Sequence, residues 1–440
     1  MLMENLENNQ KKSNMQKVAL TALAGTSIEW YDFFLYGAAA ALIFPTAFFG
    51  EMPPTTALLL SLLTFAAGFI ARPIGGIVFG HFGDKVGRKK TLISALMLMG
   101  VSSTLIGLLP TYAMIGVAAP ILLTSLRFAQ GLAIGGQWGG AMLLVTESAP
   151  SNQRGYYGAF AQAGAPIGVI LANLALIITS ALVSEEFFNT WGWRIPFLAS
   201  AVLILISMYI QLNLEDTEAF KALANNKDTQ SNNNIQKSPV IEAIRKYPKR
   251  IFLAAGAFLS VQVTFYILIA FMLAYGVTSA NMARDDMLAA VLIASAIMVP
   301  IQFVFSSYSD RHGRKGIFML GAILTAIWAF VIFPLVDTGN FYLIVLAISG
   351  GLIFLAMMYG PQAAFFTELF STEVRYSGAT LGYQFGAIVG GAFAPTIAVK
   401  LWTEFDIIWV SAYIALASLL TLISVMALTE TYQSDLNNTD

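Results

Sequence analysis

The chain has no cysteine in its 440 residues, which excludes disulfides, thiol chemistry and thiolate-held metals. Histidine is almost as scarce: His81 and His312 are the two present. They are too few for a catalytic zinc site, and both fall in expected loops, where a solvated ring and a group titrating near neutrality are the two readings. Charge is sparse too, with 11% Asp, Glu, Lys and Arg against 57% hydrophobic residues and a net charge of -1. That balance excludes an overall basic nucleic-acid binder and is far too apolar for a soluble multidomain protein. There is no nucleophile, metal or cofactor signature, so the chain reads as neither an enzyme nor a cofactor carrier. Met1 to Lys17 is polar and lacks the apolar run and small-residue site of a signal peptide, so the first hydrophobic segment is expected to stay as a span.

What the chain has is hydrophobic length. A bilayer core of about 30 Å takes about 20 apolar residues per helix, and that window divides the sequence into twelve spans. The first six are Val18 to Phe44, Thr56 to Phe79, Thr91 to Leu109, Ile115 to Val145, Tyr156 to Leu182 and Ile195 to Leu212. The second six are Ile251 to Val277, Met287 to Tyr308, Ile317 to Val336, Phe341 to Phe366, Tyr376 to Val399 and Ile407 to Leu428. The expected fold is an all-α polytopic membrane protein: tail 1–17, six-helix bundle 18–212, polar linker 213–250, six-helix bundle 251–428 and tail 429–440. With the N-terminus in the cytoplasm, 19 of the 24 Lys and Arg fall on that side. Arg194, Arg284 and Lys400 fall outside, and Arg72 and Arg127 lie within spans. This positive-inside bias assigns both termini to the cytoplasm of a multi-pass cell-membrane protein.

The chain also repeats. Gly83-Asp84-Lys85-Val86-Gly87-Arg88-Lys89-Lys90 returns 226 positions later as Ser309-Asp310-Arg311-His312-Gly313-Arg314-Lys315-Gly316. Glu147 to Arg154 returns 221 positions later as Glu368 to Arg375. Two similar halves imply a pseudo-two-fold axis along the membrane normal, with a site between them near the midplane.

The organising stretch is Gly25 to Gly37, which places Glu29 and Asp32 inside an apolar span. One turn apart, with Tyr36 a further turn along, they share a face. A lipid-facing carboxylate costs roughly 2.5 to 3.5 kcal/mol on insertion scales, so this face is expected to look into protein or a wet cavity and to handle protons or solute. A structural ion pair is the other reading.

These residues resemble the major facilitator superfamily, and within it the metabolite/proton symporters that include shikimate, alpha-ketoglutarate, citrate and proline/betaine transporters. The resemblance runs from Glu29-Trp30-Tyr31-Asp32-Phe33 through Ala71-Arg72-Pro73-Ile74-Gly75, the Gly80 to Lys90 loop, Arg127 to Gly140 and Glu147 to Gly155 to Trp191 to Phe197. Gly80-His81-Phe82-Gly83-Asp84 and Gly136-Gln137-Trp138-Gly139-Gly140 are most similar to the shikimate branch. The long coiled-coil tail of the proline/betaine osmosensor has no counterpart before Asp440. The resemblance implies a conformational latch of Asp84, Arg88, Asp310 and Arg314, with Glu147, Arg154, Glu368 and Arg375 as partners. Ser306 and Ser309 replace Gly80 and Gly83 in the second copy, which points to a weaker latch there. For Lys89, Lys90 and Lys315, topology setting is the simpler role.

Span 4 places Arg127, Gln130, Ile134, Gln137 and Trp138 at helical spacing among Gly131, Gly135, Gly136, Gly139 and Gly140, a pattern for close helix approach. Arg127-Phe128-Ala129-Gln130-Gly131 resembles the superfamily motif whose arginine is associated with proton coupling. A buried cation needs an anion, either Glu29 or Asp32 or the solute carboxylate; a fixed Arg127 to Asp32 salt bridge is the structural alternative. Arg72 reads equally as a structural residue reaching the interface or as a solute contact. Gln162, Pro166 and Asn173 share a face of span 5, and Gly164 to Gly168 only partly resembles the antiporter signature, which speaks against antiport.

No Lys, Arg, Asp or Glu falls inside the second six spans. They offer Gln262, Tyr266, Gln302, Tyr359, Gln362, Tyr383 and Gln384, groups that suit a hydroxylated or ring-bearing solute, or interhelical packing. The expectation is proton-coupled import of a small organic acid by a monomer in the lipid bilayer, with Asp32 the leading proton site and Glu29 the second. Arg127, Tyr36, Gln130, Gln137, Trp138, Gln162, Asn173 and the amides and tyrosines of the second half would hold the solute. Zwitterion or betaine symport, with Trp30, Tyr31, Trp138 or the tyrosines boxing a cationic head, is the alternative. A membrane sensor or scaffold without flux is a further one.

Overall fold

A computed structural model describes residues 2–86, 88–215, 239–371 and 375–432, with side chains for 15–79, 93–135, 142, 145–209, 243–371, 375 and 377–432. The first bundle is α1 (Leu2–Leu42), α2 (Pro54–Val86), α3 (Arg88–Leu108), α4 (Ala118–Ser148), α5 (Arg154–Leu182) and α6 (Ile195–Glu215). The second is α7 (Pro248–Thr278), α8 (Arg284–His312), α9 (Arg314–Val336), α10 (Phe341–Glu368), α11 (Arg375–Ala387 continued by Ile388–Ala392 and Ala394–Glu404) and α12 (Ile407–Ala427). Among the described residues, ten helices are long and apolar enough to cross a membrane. The other two expected spans are present as the helices α1 and α3, the described side chains of α3 beginning at Ile93.

Helices overrun the bilayer-sized windows wherever the sequence stays free of a breaker. The stretches expected as signature loops are largely helical, α2 running to Val86 and α8 to His312. Gly313, at φ +100°, makes the corner between α8 and α9, a backbone region few side chains adopt. The expected N-terminal tail is helical from Leu2, and the linker ends in the amphipathic helix Pro239–Lys246. At the outer ends, Asn340 caps α10 by accepting from Tyr342 N at 2.9 Å, and Asp406 caps α12 by accepting from Ile408 N at 3.0 Å.

Packing repeats with a shift of six helices: α1 on α5 as α7 on α11, α2 on α4 as α8 on α10, and α3 on α6 as α9 on α12. The closest approach is α2 against α4, where a Cβ on Gly131 or Gly135 would collide with the backbone oxygens of Gly68 and Arg72. The glycines of span 4 therefore do bring two helices into backbone contact. Between the bundles, α5 lies against α8 and α10, α2 against α11, and α1 against α7. Two single π turns, Ile267–Phe271 and Ile388–Ala392, interrupt α7 and α11.

Candidate functional site

A small cavity lies between the bundles, lined by Trp30, Phe34 and Ala165 from the first and by Gln262, Phe265, Tyr266, Leu355, Tyr359 and Tyr383 among those of the second. About 250 Å³ there is not filled by atoms. Tyr266 is one of the rings that line it. From α7 it packs at centroid distances of 5.1 Å on Phe69, 5.7 Å on Phe65 and 6.2 Å on Phe33, all of the opposite bundle. Edge and tilted pairs of this kind contribute about 0.5–1.5 kcal/mol each.

Asp32 does not face this cavity. Trp30 and Phe34 carry the cavity side of α1, and Asp32 lies about 200° round the helix from Trp30, 2% exposed, among α3 and α6. Its Oδ2 accepts from Ser103 Oγ at 2.9 Å, and Ser200 is the other hydroxyl beside it. Ser103 in turn accepts from Gln130 Nε2 at 2.7 Å, and Gln130 Oε1 accepts from Arg127 Nη1 at 3.1 Å. Every donor in this chain points from Arg127 towards Asp32, the sense that a carboxylate at the far end imposes, and such chains polarise one another. The direct Arg127 to Asp32 salt bridge is absent: two neutral side chains separate the charges, and Arg127 has no ion pair among the described residues. Glu29, a turn earlier on α1, is half-buried.

Arg127 is 0% exposed, with its guanidinium carbon 4.2 Å from the Phe33 and Tyr36 ring centroids and 4.8 Å from that of Phe65. The Tyr36 hydroxyl is held by Thr64 Oγ1 at 2.6 Å. Gly68 makes room for the arginine, since a Cβ there would press on its Nε. Arg72 is not at the interface, where the sequence left it free to reach. It is 1% exposed, 4.3 Å from the centroids of Phe33 and Phe69 and 5.5 Å from that of Trp30. Ring contacts contribute about 0.5–2 kcal/mol each, against a charge whose insertion at mid-membrane costs roughly 2.5–3.5 kcal/mol on the most lenient scale.

The amides split into two groups. Gln162 Nε2 donates to Tyr359 O, Gln302 Nε2 to Ala159 O and Asn173 Nδ2 to Leu288 O, each at 3.2 Å and each across the bundle interface. These three tie α5 to α8 and α10. Gln262, at the cavity, and Gln362 and Gln384, both buried, keep polar atoms without a hydrogen-bond partner among the described residues. Gln137 and Trp138 lie outside the described side chains, as do Asp84 and Arg88 of the first signature copy.

The second copy is fully engaged. Asp310 accepts from the backbone N–H of Gly155 and of Tyr156, each at 2.8 Å, so its carboxylate sits on the N-terminus of α5 from the other bundle. Arg314 Nη1 donates to the same carboxylate at 2.7 Å and to Ser309 Oγ at 2.7 Å, and its Nη2 pairs with Glu368 at 3.1 Å. Ser309, expected to weaken the copy, is one of its bonds. Gly155 leaves no room for a side chain, because a Cβ would stand 2.6 Å from Arg314 Nη1. Arg375 Nη1 reaches Glu147 across the interface at 3.4 Å. Burial holds that guanidinium below its ordinary range while Glu147 opposes the shift. Arg154 is buried at the start of α5. His312 ends α8, stacked on Tyr308 with ring centroids 4.2 Å apart.

Ser103 and Phe33 are the residues that sequence reasoning missed. The Ser102-Ser103-Thr104 trio in an otherwise apolar span is the available signal for the first; the second stands in the Glu29 to Phe33 motif, which does not tell that its ring meets the arginines.

The pattern of the Major Facilitator Superfamily matches residues 22–381. The inner membrane metabolite transport protein YhjE of Escherichia coli (strain K12) is 40% identical over 431 residues, 96% of both chains. The shikimate transporter of the same organism is 37% identical over 92% of each chain. Its proline/betaine transporter is 32% identical over 91% of this chain and 80% of that one. Among solved structures, the proton:xylose symporter XylE bound to 6-bromo-6-deoxy-D-glucose superposes with a TM-score of 0.71 over 97% of this chain and 98% of that one, at 17% identity, a likeness of fold alone.

Proposed function

Because the chain belongs to the Major Facilitator Superfamily and is a secondary active transporter, we propose that it brings a small organic acid into the cell together with protons, by alternating access. The observation that carries this reading is the hydrogen-bonded chain from Arg127 through Gln130 and Ser103 to Asp32. A proton arriving on Asp32 removes the charge that polarises the chain and releases Arg127 to a solute carboxylate. Loss of the proton on the far side draws Arg127 back and expels the solute. The moving bodies are 18–212 and 251–428, linked through 213–250, with both termini in the cytoplasm and one chain as the transporting unit. The Asp310, Arg314, Glu368 cluster closes the cytoplasmic side and opens when the bundles rock. The name of the shikimate transporter at 37% identity supports an acid as cargo.

A second reading rests on the rings around the cavity, Trp30, Phe34, Phe265, Tyr266, Tyr359 and Tyr383, which suit a cationic head group, and on the proline/betaine relative. Proteoliposomes with an alkaline interior decide between them. Labelled shikimate and labelled short dicarboxylates should accumulate against their gradient, with glycine betaine failing to compete. Betaine accumulation without carboxylate uptake would select the second reading, and no gradient-driven uptake of either would overturn proton-coupled transport.

A further inference from the structure

Arg72 and Arg127 leave the same edge empty. In both, Nε and Nη2 are buried and have no hydrogen-bond partner among the described residues, and those two donors form the fork that takes a carboxylate bidentately. The two guanidinium carbons lie 4.3 and 4.2 Å from the centroid of the same ring, Phe33, so they are no further apart than those two distances laid end to end. Arg127 at least reaches Asp32 through Gln130 and Ser103. Arg72 has no such connection: rings surround it, and its polar neighbour is the neutral hydroxyl of Tyr266. Among the described residues the buried carboxylate Asp32 is thus connected to Arg127 alone, and the fork of Arg72 has no anion assigned to it.

One residue lies between the cavity and the arginine layer. Tyr266 lines the cavity and at the same time covers Phe33, Phe65 and Phe69, the rings on which the two arginines stack. Parting the bundles withdraws Tyr266 with α7 and opens the arginine layer to whatever occupies the cavity. Phe33 contacts both guanidiniums, while Phe69 and Trp30 belong to Arg72 and Tyr36 and Phe65 to Arg127. The two guanidiniums thus share one ring and are otherwise held by different ones.

We propose that Arg72 forms a second anion subsite beside that of Arg127, and that the solute carries two acidic groups, one for each guanidinium. This rests on the organic-acid reading above and narrows it to diacids. Binding to the purified full-length protein of four- to six-carbon aliphatic dicarboxylates is to be compared with that of their monomethyl esters, in wild type, Arg72→Lys and Arg72→Gln. At least one diacid should bind about tenfold or more tightly than its monoester in wild type, the loss expected for one charge-assisted fork. That ratio should fall towards one in Arg72→Lys and Arg72→Gln while monoester affinity stays near the wild-type value, a pattern that general unfolding would not give. Equal affinity for diacid and monoester in wild type, no binding of any diacid, or an unchanged ratio in both variants overturns the second subsite. Proton entry into proteoliposomes separates the two levels: monoesters that drive it as well as diacids remove only the second subsite, and carboxylates that never drive it remove the organic-acid reading too.

Discussion

The two bundles share a helix order and a packing scheme but not a chemistry. The first holds Asp32, Arg72 and Arg127 in its interior, with Arg127 linked to Asp32 through Gln130 and Ser103 and Arg72 outside that chain. The second buries amides and tyrosines at the corresponding depth, and breaks α7 and α11 with π turns that the equivalent helices α1 and α5 lack among the described residues. Duplicated scaffolds can therefore diverge in function without diverging in packing, because the shape of a bundle depends on small residues and apolar surface, whereas its charge depends on a few polar positions. On this account the first bundle carries proton and anion, and the second supplies the lid, Tyr266, and the neutral contacts.

That division can be broken at several points. Arg127→Lys keeps the charge but loses the planar fork, so carboxylate uptake should fall on the order of 100-fold; wild-type uptake would make Arg127 structural. Gly155→Ala sets a methyl group against Arg314 and Asp310, and should open the Asp310 side of the interface, lowering uptake by about tenfold. The absence of native cysteine allows that opening to be read from the labelling rate of a single cysteine introduced at Ser306; no change in labelling would show that the cluster does not hold the bundles together. Ser103→Ala removes the middle of the Asp32 chain and should weaken coupling several-fold, seen as fewer protons entering per solute. The smallest effect is expected at Gln162→Leu, which loses one interbundle bond of about 1 kcal/mol and should change uptake by less than tenfold. A loss as severe as that at Arg127 would place Gln162 in solute binding and blur the contrast between the bundles.

Much of this was legible before any coordinates. Twelve apolar windows gave twelve helices because hydrophobic length is a local property, and Asp32 and Arg127 stood out because charge is rare inside spans. Which way a residue points was harder. Glu29, Asp32 and Tyr36 are spaced to share a face, yet the side of α1 that meets the cavity is that of Trp30 and Phe34, a choice made by how α1 packs against α5, α6 and α7. Gln162 shares a span face with Asn173, and Gln302 reads as a solute contact or an interhelical bond; that both reach backbone oxygens across one interface depends on the docking of the bundles. Ser103 was hidden because serine is common in membrane helices, and the overrun of α8 to His312 because a bilayer window takes no account of helix that continues beyond it.

The central claim is that Asp32 exchanges the coupled proton. Asp32→Asn in proteoliposomes tests it most directly, with solute exchange between equal internal and external pools measured beside uphill accumulation driven by a pH gradient. The account predicts that exchange persists while accumulation is lost. Accumulation at the wild-type level, with its dependence on pH intact, would contradict it and move the proton to another group, Glu29 first.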